Sequence, residues 1–219
     1  MSRTVSPDLE GIEFSSLALS KDHFFCSAAE TLYQLSKPDG KVVSQVVPHM
    51  MPIHTVQYSA DADIVVTAAI GDRFINIFSY KGTSLNRLGS LTCTHDVRSF
   101  TIVKSTLLAI TTMGTLEVFN SFYSDFEPGK KGGLTKPPSA SVHLTTSHNA
   151  DVQMQDVTPR GKKVVISWVE GAKLGFETID INNISGKTEI NVETRQGQSQ
   201  EEVSLHFFLL LIKDIKTVR

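Results

Sequence analysis

Three side chains in the first half of the sequence are of the types that perform nucleophilic catalysis. His49, Thr67 and Asp72 supply an imidazole, a hydroxyl and a carboxylate. Such groups can act as base, nucleophile and orienting acid when they form a hydrogen-bonded chain in a cleft. Buried, the same chain can instead hold a fold together, because a buried carboxylate without partners is costly. No further acid or base clusters with these residues in the sequence, so we favour the architectural interpretation and expect no catalytic residue.

A second set of side chains could bind a metal ion. His143 and His148 are five residues apart, and Asp151 follows them. Zinc sites in proteins bring His and Cys ligands together through short, regular spacings or through a helix. Neither condition is met here, and no Cys is near, so we interpret these residues as surface residues and expect no metal and no other cofactor.

One tripeptide resembles the end of a phosphate-binding loop. Gly186, Lys187 and Thr188 match the last residues of the P-loop pattern, which needs a further Gly five residues before the first of them. That place is taken by Ile181, and no helical pattern follows. We therefore predict an ordinary turn and no small-molecule substrate.

A basic, glycine-rich segment is the best candidate for contact with nucleic acid. It contains Lys130, Lys131 and Lys136, with glycines at 129, 132 and 133. Flexible cationic loops attract phosphate groups without reading sequence. Most loops of this kind only keep a surface solvated, so RNA contact and simple solubility are both open interpretations.

Composition limits the class of protein. The 219 residues are 40% hydrophobic and 20% charged, with a formal net charge of −2, which is typical of a globular chain and not of a dedicated nucleic-acid module. Cys26 and Cys93 lack metal or disulfide spacing, which predicts reduced thiols inside a cell. The N-terminus lacks a secretory h-region, and the longest apolar run, Phe207–Ile212, is too short to span a membrane.

A short pattern recurs at a nearly constant distance. Ile75–Phe78 alternates apolar and polar residues and ends on an aromatic; Leu32–Leu35 lies 43 residues earlier and Leu116–Phe119 lies 41 residues later. A unit of about 40–45 residues is the period of a four-stranded propeller blade. One blade cannot bury both faces of its sheet alone, so such units are expected to stack.

The repeat and the turn residues divide the chain into an N-terminal segment, 1–13, about four blades within 14–195, and a C-terminal tail, 196–219, of undecided structure. In the first blade Leu17 and Leu19 alternate along the first strand. The strands predicted for the second and third blades are Thr55–Tyr58, Ile64–Ala68, Phe74–Phe78, Arg87–Leu91, Ser99–Val103, Leu107–Thr111 and Leu116–Phe119. The polar stretch 125–141 is predicted to be an exposed insertion, with Val142–Thr145 as the delayed outer strand of the third blade.

The fourth blade is predicted from Val152–Asp156, Val164–Val169, Leu174–Ile181 and Thr188–Thr194, with a turn at Pro159–Lys162. Short strands separated by polar turns every 8–12 residues favour an all-β array. Seven blades of this size need close to 300 residues. We therefore predict consecutive four-stranded blades of an incomplete β-propeller.

The best-matched segments, VVTAAIGDRFINIF and LAITTMGTLEVF, resemble one WD-repeat family. This is the family of the small-subunit processome subunit called Utp-five in fungi and WD-repeat protein forty-three in animals. The similar elements are the entry His49–Pro52, the strand from Thr67, the segment Asp72–Phe78 and the Lys/Gly-rich insertion. In WD-repeat blades a His, a Ser or Thr and a turn Asp form a structural hydrogen-bond triad, which His49, Thr67 and Asp72 fit, while Phe78 replaces the usual Trp.

The resemblance covers residues 14–190 and implies the later half of a WD-type propeller. It implies a non-enzymatic scaffold in ribosome biogenesis, located in the nucleolus, with other subunits of the small-subunit processome (the UtpA, or t-UTP, subcomplex) as partners and a contact with pre-rRNA. The earlier blades and a helical C-terminal domain of that family have no counterpart here, which predicts a partial gene product or a mispredicted terminus. The alternative is a WD-repeat adaptor in another complex, such as ubiquitin-ligase substrate recruitment or membrane traffic.

Overall fold

In a computed structural model of the chain the elements are β-strands joined by turns. The structure describes residues 9–81, 84–126 and 134–143, and four later strands, 152–160, 163–170, 173–180 and 192–196, in which Ile166 is the side chain described. Within these residues no helix is long and apolar enough to cross a membrane.

Sheets one and two each have four antiparallel strands that are consecutive in sequence. Sheet one has the order β1-β2-β3-β4, with β1 (Ser16–Leu19), β2 (His23–Ala28), β3 (Thr31–Ser36) and β4 (Val42–Val46). Sheet two contains β5 (Ile53–Ser59), β6 (Ile64–Ala69), β7 (Phe74–Lys81) and β8 (Ser84–Thr92), and the short β12 (Thr135–Lys136) adds to β8 in parallel.

Sheets three and four follow the same plan. Sheet three contains β9 (Val97–Val103), β10 (Thr106–Thr111), β11 (Thr115–Phe119) and, at its outer edge, β13 (Ala140–His143). Sheet four contains β14 (Val152–Arg160), β15 (Lys163–Glu170), β16 (Lys173–Asp180) and β17 (Val192–Gln196). Meanders of four strands, each followed by a connection to the next sheet, are the blades of a propeller.

Turn glycines set the hairpins that lead into the third strands. Gly71 precedes β7 with φ of 66°, and Gly114 precedes β11 with φ of 67°. This left-handed conformation carries little strain for Gly and is unfavourable for most other residues. The two glycines therefore start the third strand at the same place in sheets two and three.

Consecutive sheets are joined through their first strands, which are neighbours in space. The amide of Val56 on β5 donates to Ser16 Oγ on β1 at 2.9 Å. Gln57 Nε2 donates to the carbonyl of Phe100 at 2.8 Å, and its Oε1 accepts from the amide of Ile102 at 3.1 Å. These polar bonds line up successive sheets along their inner strands.

Among the described side chains, two apolar cores lie between sheets one, two and three. The core between sheets one and two contains Phe25, Leu32, Val65 and Phe78. The core between sheets two and three is larger and contains Ile75, Ile77, Leu107, Phe119 and Phe122, among others. Sheet two is thus buried on both faces, which accounts for the unbroken run of buried residues along β6.

The all-β, propeller-blade prediction is confirmed, and most predicted strands lie within a few residues of their observed bounds. Several boundaries differ: β8, for example, begins at Ser84 and not at Arg87, and β17 begins at Val192 and not at Thr188. The outer strand of sheet three begins two residues earlier than predicted, at Ala140; the predicted turn at Pro159–Lys162 is shorter, because β14 continues to Arg160. Gln196, placed in the tail by the sequence, ends β17.

The alternating leucines of β1 do not face sheet two. Leu17 and Leu19 are 57% and 54% exposed, whereas Ala18 between them is buried against sheet two. Alternation identifies two faces of a strand but does not say which neighbour each face meets.

The segment 125–141 is predicted to be an exposed insertion. In the structure, the described residues on either side of 127–133 contact the sheets. Phe126 is buried in the core between sheets two and three, and Thr135–Lys136 pairs with β8. The Phe126 ring lies over Gly89, where a Cβ would clash with it and would come within 2.7 Å of the Leu134 carbonyl. Because Gly89 has no side chain, the segment can pack against sheet two, although its polar composition alone predicts that it lies in solvent.

Candidate functional site

His49, Thr67 and Asp72 are brought together between sheets one and two. His49 lies in the connection from β4 to β5, Thr67 is on β6, and Asp72 is in the turn before β7. His49 Nδ1 is 2.7 Å from Asp72 Oδ2, and Nε2 is 3.0 Å from Thr67 Oγ1. The other oxygen of Asp72 accepts from the amide of Phe74 at 3.0 Å. The turn, the second strand and the inter-sheet connection are therefore tied at one point.

The charge state of this chain follows from burial. Burial lowers the pKa of His49, and the Asp72 carboxylate opposes that change only in part. Because a carboxylate only accepts, the neutral imidazole keeps its proton on Nδ1 and donates it to Asp72. Nε2 then accepts from the Thr67 hydroxyl. His49 is a fixed bridge between a donor and an acceptor.

Two residues that the sequence interpretation missed extend this network. Asn76 on β7 donates through Nδ2 to the carbonyl of Pro48 at 2.9 Å, and the same nitrogen is 3.2 Å from both ring nitrogens of His49. Arg87 Nη2 donates to Asn76 Oδ1 at 2.8 Å. Asn76 is the polar residue of the repeated tetrapeptide, so its position within the repeat was the available signal.

Sheet three fills the equivalent place with a buried carboxylate. Glu117 occupies on β11 the place of Asn76 on β7: it pairs across the sheet with Ala109, as Asn76 pairs with Thr67. Its fully buried carboxylate accepts from the amide of Thr94 at 3.0 Å and also from the Thr94 hydroxyl. The sequence interpretation overlooked Glu117.

The buried thiol of Cys93 belongs to the same cluster. Burial, together with the adjacent Glu117 carboxylate, raises the pKa of Cys93 well above its usual value. The thiol therefore stays protonated and donates to Glu117, as a structural cysteine does. The acidic side chain is held by donors from the connection that precedes sheet three.

On sheet one the same place is apolar. Cys26 pairs with Tyr33 as Thr67 pairs with Asn76, and Leu9 from the N-terminal segment packs against Cys26. Burial raises the pKa of Cys26 to about 11, so this thiol also remains protonated. Three consecutive sheets thus anchor the preceding connection with an apolar contact, an imidazole bridge and a carboxylate.

Three members of these networks are buried within the fold. Thr67 and Glu117 are fully buried, and His49 is 5% exposed. A general base must come within hydrogen-bond reach of a reacting group in an accessible site. The arrangement of His49, Thr67 and Asp72 holds sheets and connections together.

Exposed apolar side chains gather on the loops at one end of the sheets. These loops are the connections from β4 to β5 and the turns before β7 and β11, all on the end where His49 and Asp72 lie. We call the set the apolar loop surface: Val47, Met50, Met51, Ile70 and Met113, which are 64%, 99%, 47%, 54% and 57% exposed. Exposed apolar groups clustered on loops are typical of protein contact sites.

The predicted basic loop is described only in part. Lys130 and Lys131 lie outside the described residues. Lys136 Nζ is 2.7 Å from Asp125 Oδ2 and donates to the carbonyl of Ser121 at 3.0 Å. The Lys136 ammonium lowers the pKa of Asp125, so this charge is engaged within the protein and helps to fasten the segment.

The candidate metal and phosphate motifs gain no supporting geometry. His143 Nδ1 is 3.2 Å from Thr115 Oγ1 at the edge of sheet three, while His148 and Asp151 lie outside the described residues. Among the side chains that the structure describes, no three metal-ligating groups come together. The tripeptide Gly186–Thr188 also lies outside the described part.

No protein family and no curated protein matches the sequence, but solved structures are similar to the fold. The β-propeller domain of Myceliophteria thermophila Cps50 (Swd1) has a TM-score of 0.63 at 12% identity, covering 86% of this chain and 59% of that one. U3-55K has a TM-score of 0.61 at 9% identity, covering 84% and 53%. The computationally designed Ika8 protein has a TM-score of 0.57 at 17% identity, covering 80% and 47%. The chain spans about half the length of these proteins, and the similarity identifies its fold as consecutive β-propeller blades.

Proposed function

We propose that this chain is a non-enzymatic WD-repeat scaffold that acts in ribosome biogenesis. It binds other subunits of the small-subunit processome in the nucleolus, and an insertion on its third blade contacts pre-rRNA. The proposal combines the propeller-blade fold with the family resemblance of the segments around Asp72–Phe78 and Leu116–Phe119.

One contrast in the structure supports the proposed scaffold function. The side chains of catalytic type, His49, Thr67 and Asp72, are used inside the fold, whereas the apolar loop surface lies open at one end of the sheets. Rigid sheets that display several loops suit simultaneous contact with several partners. The sequence resemblance of the segments around Asp72–Phe78 supports the ribosomal setting.

Substitution on the apolar loop surface tests the scaffold function. A tagged chain carrying Met50→Glu and Met51→Glu is expected to lose most co-purifying processome subunits, because two charges replace exposed apolar side chains of this surface. The control is Lys41→Glu, an exposed site in the turn between β3 and β4 at the opposite end. The tagged wild type is expected to stain the nucleolus.

Two outcomes contradict this proposal. Purification of the wild-type chain without processome subunits contradicts a role in ribosome biogenesis. Staining in cytoplasmic puncta favours the adaptor alternative. Equal recovery of partners by the methionine double variant and by the Lys41→Glu control removes the apolar loop surface as the contact site.

The RNA contact is tested separately. Replacing Lys130 and Lys131 by Gln is expected to lower RNA crosslinking and to flatten its salt dependence, because phosphate contacts release counterions in proportion to the charges engaged. Lys136→Gln is the comparison, since this lysine already pairs with Asp125. Equal RNA retention by wild type and the double variant over a salt series reduces the loop to a solubilising insertion.

A further inference from the structure

The outer edge of sheet two is covered by a short strand from a later part of the chain. β12 runs parallel to β8 and pairs Thr135 with Ser90 and Lys136 with Leu91. The amide of Ser90 donates to the carbonyl of Leu134 at 3.0 Å. An extended segment that adds to a sheet edge in this way is held by main-chain hydrogen bonds, so such an edge can also receive a segment of another protein.

The outer edge of sheet one is built on the same plan. Gln45 on β4 and Ser90 on β8 pair with equivalent residues of their third strands, and each outer strand has a β-bulge at the same place, at Val43 and at Leu88. A bulge leaves one residue of the strand unpaired and shifts the register beyond it. Gln45 lies two residues beyond the bulge, as Ser90 does, so its amide also points outward, away from β3.

The edge that β12 covers in sheet two is open in sheet one. Within the described residues, β4 pairs with β3 alone, so its outer side has no neighbouring strand. The sequence from Val42 to Val47 contains no charged residue, no Pro and no Gly. Proteins commonly protect an edge strand with such residues, because unpaired amides and carbonyls are a template for another strand. The outer edge of β4 therefore has the chemistry of a pairing site.

A cleft lies along this edge. It has a volume of about 450 Å³ and is lined by Tyr33 and by Val42, Val43, Ser44 and Gln45. Successive residues of a strand point to opposite faces of the sheet, so a cleft bordered by four consecutive residues opens at the strand edge. Its aromatic and aliphatic lining suits an apolar side chain of an added strand.

We propose that the outer edge of β4 binds an extended, uncharged segment of a partner protein. The segment pairs in parallel with Ser44–Val46, as β12 pairs with β8, and places an apolar side chain in the cleft. The bulge at Val43 leaves only a short regular edge, which suits a short segment better than the long edge of a second sheet. The site does not depend on the apolar loop surface or on a role in ribosome biogenesis.

Hydrogen exchange of the full chain tests the pairing directly. The probe is a capped peptide of about seven residues that alternates Thr and Val, which favour strands. When the peptide saturates the chain, exchange of the Gln45 amide is expected to slow by roughly tenfold, because the amide gains an acceptor. The Ser90 amide, which already donates to Leu134, is the internal control and is expected not to change. The same peptide with N-methylated amides is expected to have no effect, because it cannot donate to β4.

A pair of variants at one position tests the same edge from the side of the protein. Gln45→Pro removes the outward amide, and Gln45→Ala, the matched control, keeps it. In calorimetric titration with the Thr/Val peptide, Gln45→Pro is expected to lose binding and Gln45→Ala to retain it. Both variants are expected to keep the circular dichroism spectrum of the wild type, since this amide faces away from β3.

Three results overturn the proposal. Unchanged exchange of the Gln45 amide in the presence of the peptide shows that the edge does not accept a strand, and this measurement needs no variant. Equal binding of the N-methylated peptide shows a contact without main-chain pairing. A wild-type dimer in sedimentation velocity that Gln45→Pro converts to a monomer shows that a second copy, and not a partner segment, covers the edge.

Discussion

At the scale of single residues, one structural task is solved by three kinds of chemistry. The connection leading into a sheet must be anchored against the second and third strands. His49 does this with hydrogen bonds to Thr67 and Asp72, Thr94 does it by donating to Glu117, and Leu9 does it by apolar contact. In both polar cases the buried groups have hydrogen-bond partners, because a buried polar group without a partner costs free energy.

Removing the Asp72 carboxylate tests how much this anchoring contributes. Asp72→Ala is expected to lower the free energy of unfolding by about 1–3 kcal/mol, because His49 and the Phe74 amide lose their acceptor. The measurement is chemical or thermal denaturation. Asp61→Ala, in the exposed turn between β5 and β6, is the control. An unchanged midpoint for Asp72→Ala shows that the carboxylate is an ordinary turn residue.

The lowered pKa of His49 gives stability a definite pH dependence. The unfolded imidazole has a pKa of about 6.5 and takes up a proton as pH falls, while burial keeps the folded one neutral to lower pH. The folded state then binds fewer protons, so the contribution of this site is present above about pH 6.5 and is lost below it. His54, whose pKa burial also lowers, acts in the same direction.

Melting temperature as a function of pH measures this effect. The wild type is expected to lose stability between pH 7.5 and pH 5.5. His49→Gln is expected to be less stable at pH 7.5 and to show a smaller decrease on acidification, since Gln does not titrate. Parallel pH curves for wild type and variant contradict a neutral, buried His49.

At the scale of elements, part of the insertion that follows the third strand of sheet three packs against sheet two. The segment after β11 buries Phe126 over Gly89, and β12 then adds to the outer edge of sheet two. The amide of Ser90 donates to the Leu134 carbonyl at 3.0 Å, and Lys136 pairs with Asp125. An outer strand that is paired in this way presents fewer unsatisfied groups at the sheet edge.

Substituting Gly89 tests the attachment of this segment. Gly89→Ala is expected to destabilise the fold by about 1–3 kcal/mol, because the new methyl group overlaps the Phe126 ring and forces the segment to move. Hydrogen exchange at the Ser90 amide should become faster. In a Phe126→Ala background the same change should cost less, because the ring is gone; additive effects in that double variant contradict a direct contact.

At the scale of the whole molecule, the sheets are stable because they stack. Sheet two is apolar on both faces and is buried by sheets one and three. The contact with sheet one includes the ring of Phe25, 4.8 Å from that of Tyr80 and 6.1 Å from that of Tyr58. Each blade therefore depends on its neighbours, as expected for repeat architectures.

Removing the Phe25 ring tests this dependence. Phe25→Ala is expected to lower the free energy of unfolding by about 3–5 kcal/mol, because it leaves a cavity between sheets one and two. The measurement is equilibrium denaturation. Phe14→Ala, which removes a ring that is 41% exposed, is the matched control and should cost much less. Similar losses for both variants contradict a core between the two sheets.

The sequence by itself determined the fold class, the blade period and most strand positions. These features are local: apolar alternation over four to eight residues, glycines at turns and a tetrapeptide repeated at 41–43 residues. The resemblance to WD-repeat blades also indicated the triad of His49, Thr67 and Asp72. Asn76, Arg87 and Glu117 were not found, because a single polar residue within a strand pattern does not reveal its partners.

Only the tertiary structure decided which neighbour each face meets and where the insertion goes. Leu17 and Leu19 face away from sheet two because Ala18 fits the close approach of β5, which is a contact between residues distant in sequence. Phe126 and Lys136 are bound because Gly89 leaves space and Asp125 supplies a charge. Such choices depend on shape and distance between separate elements, and these quantities arise only when the sheets stack.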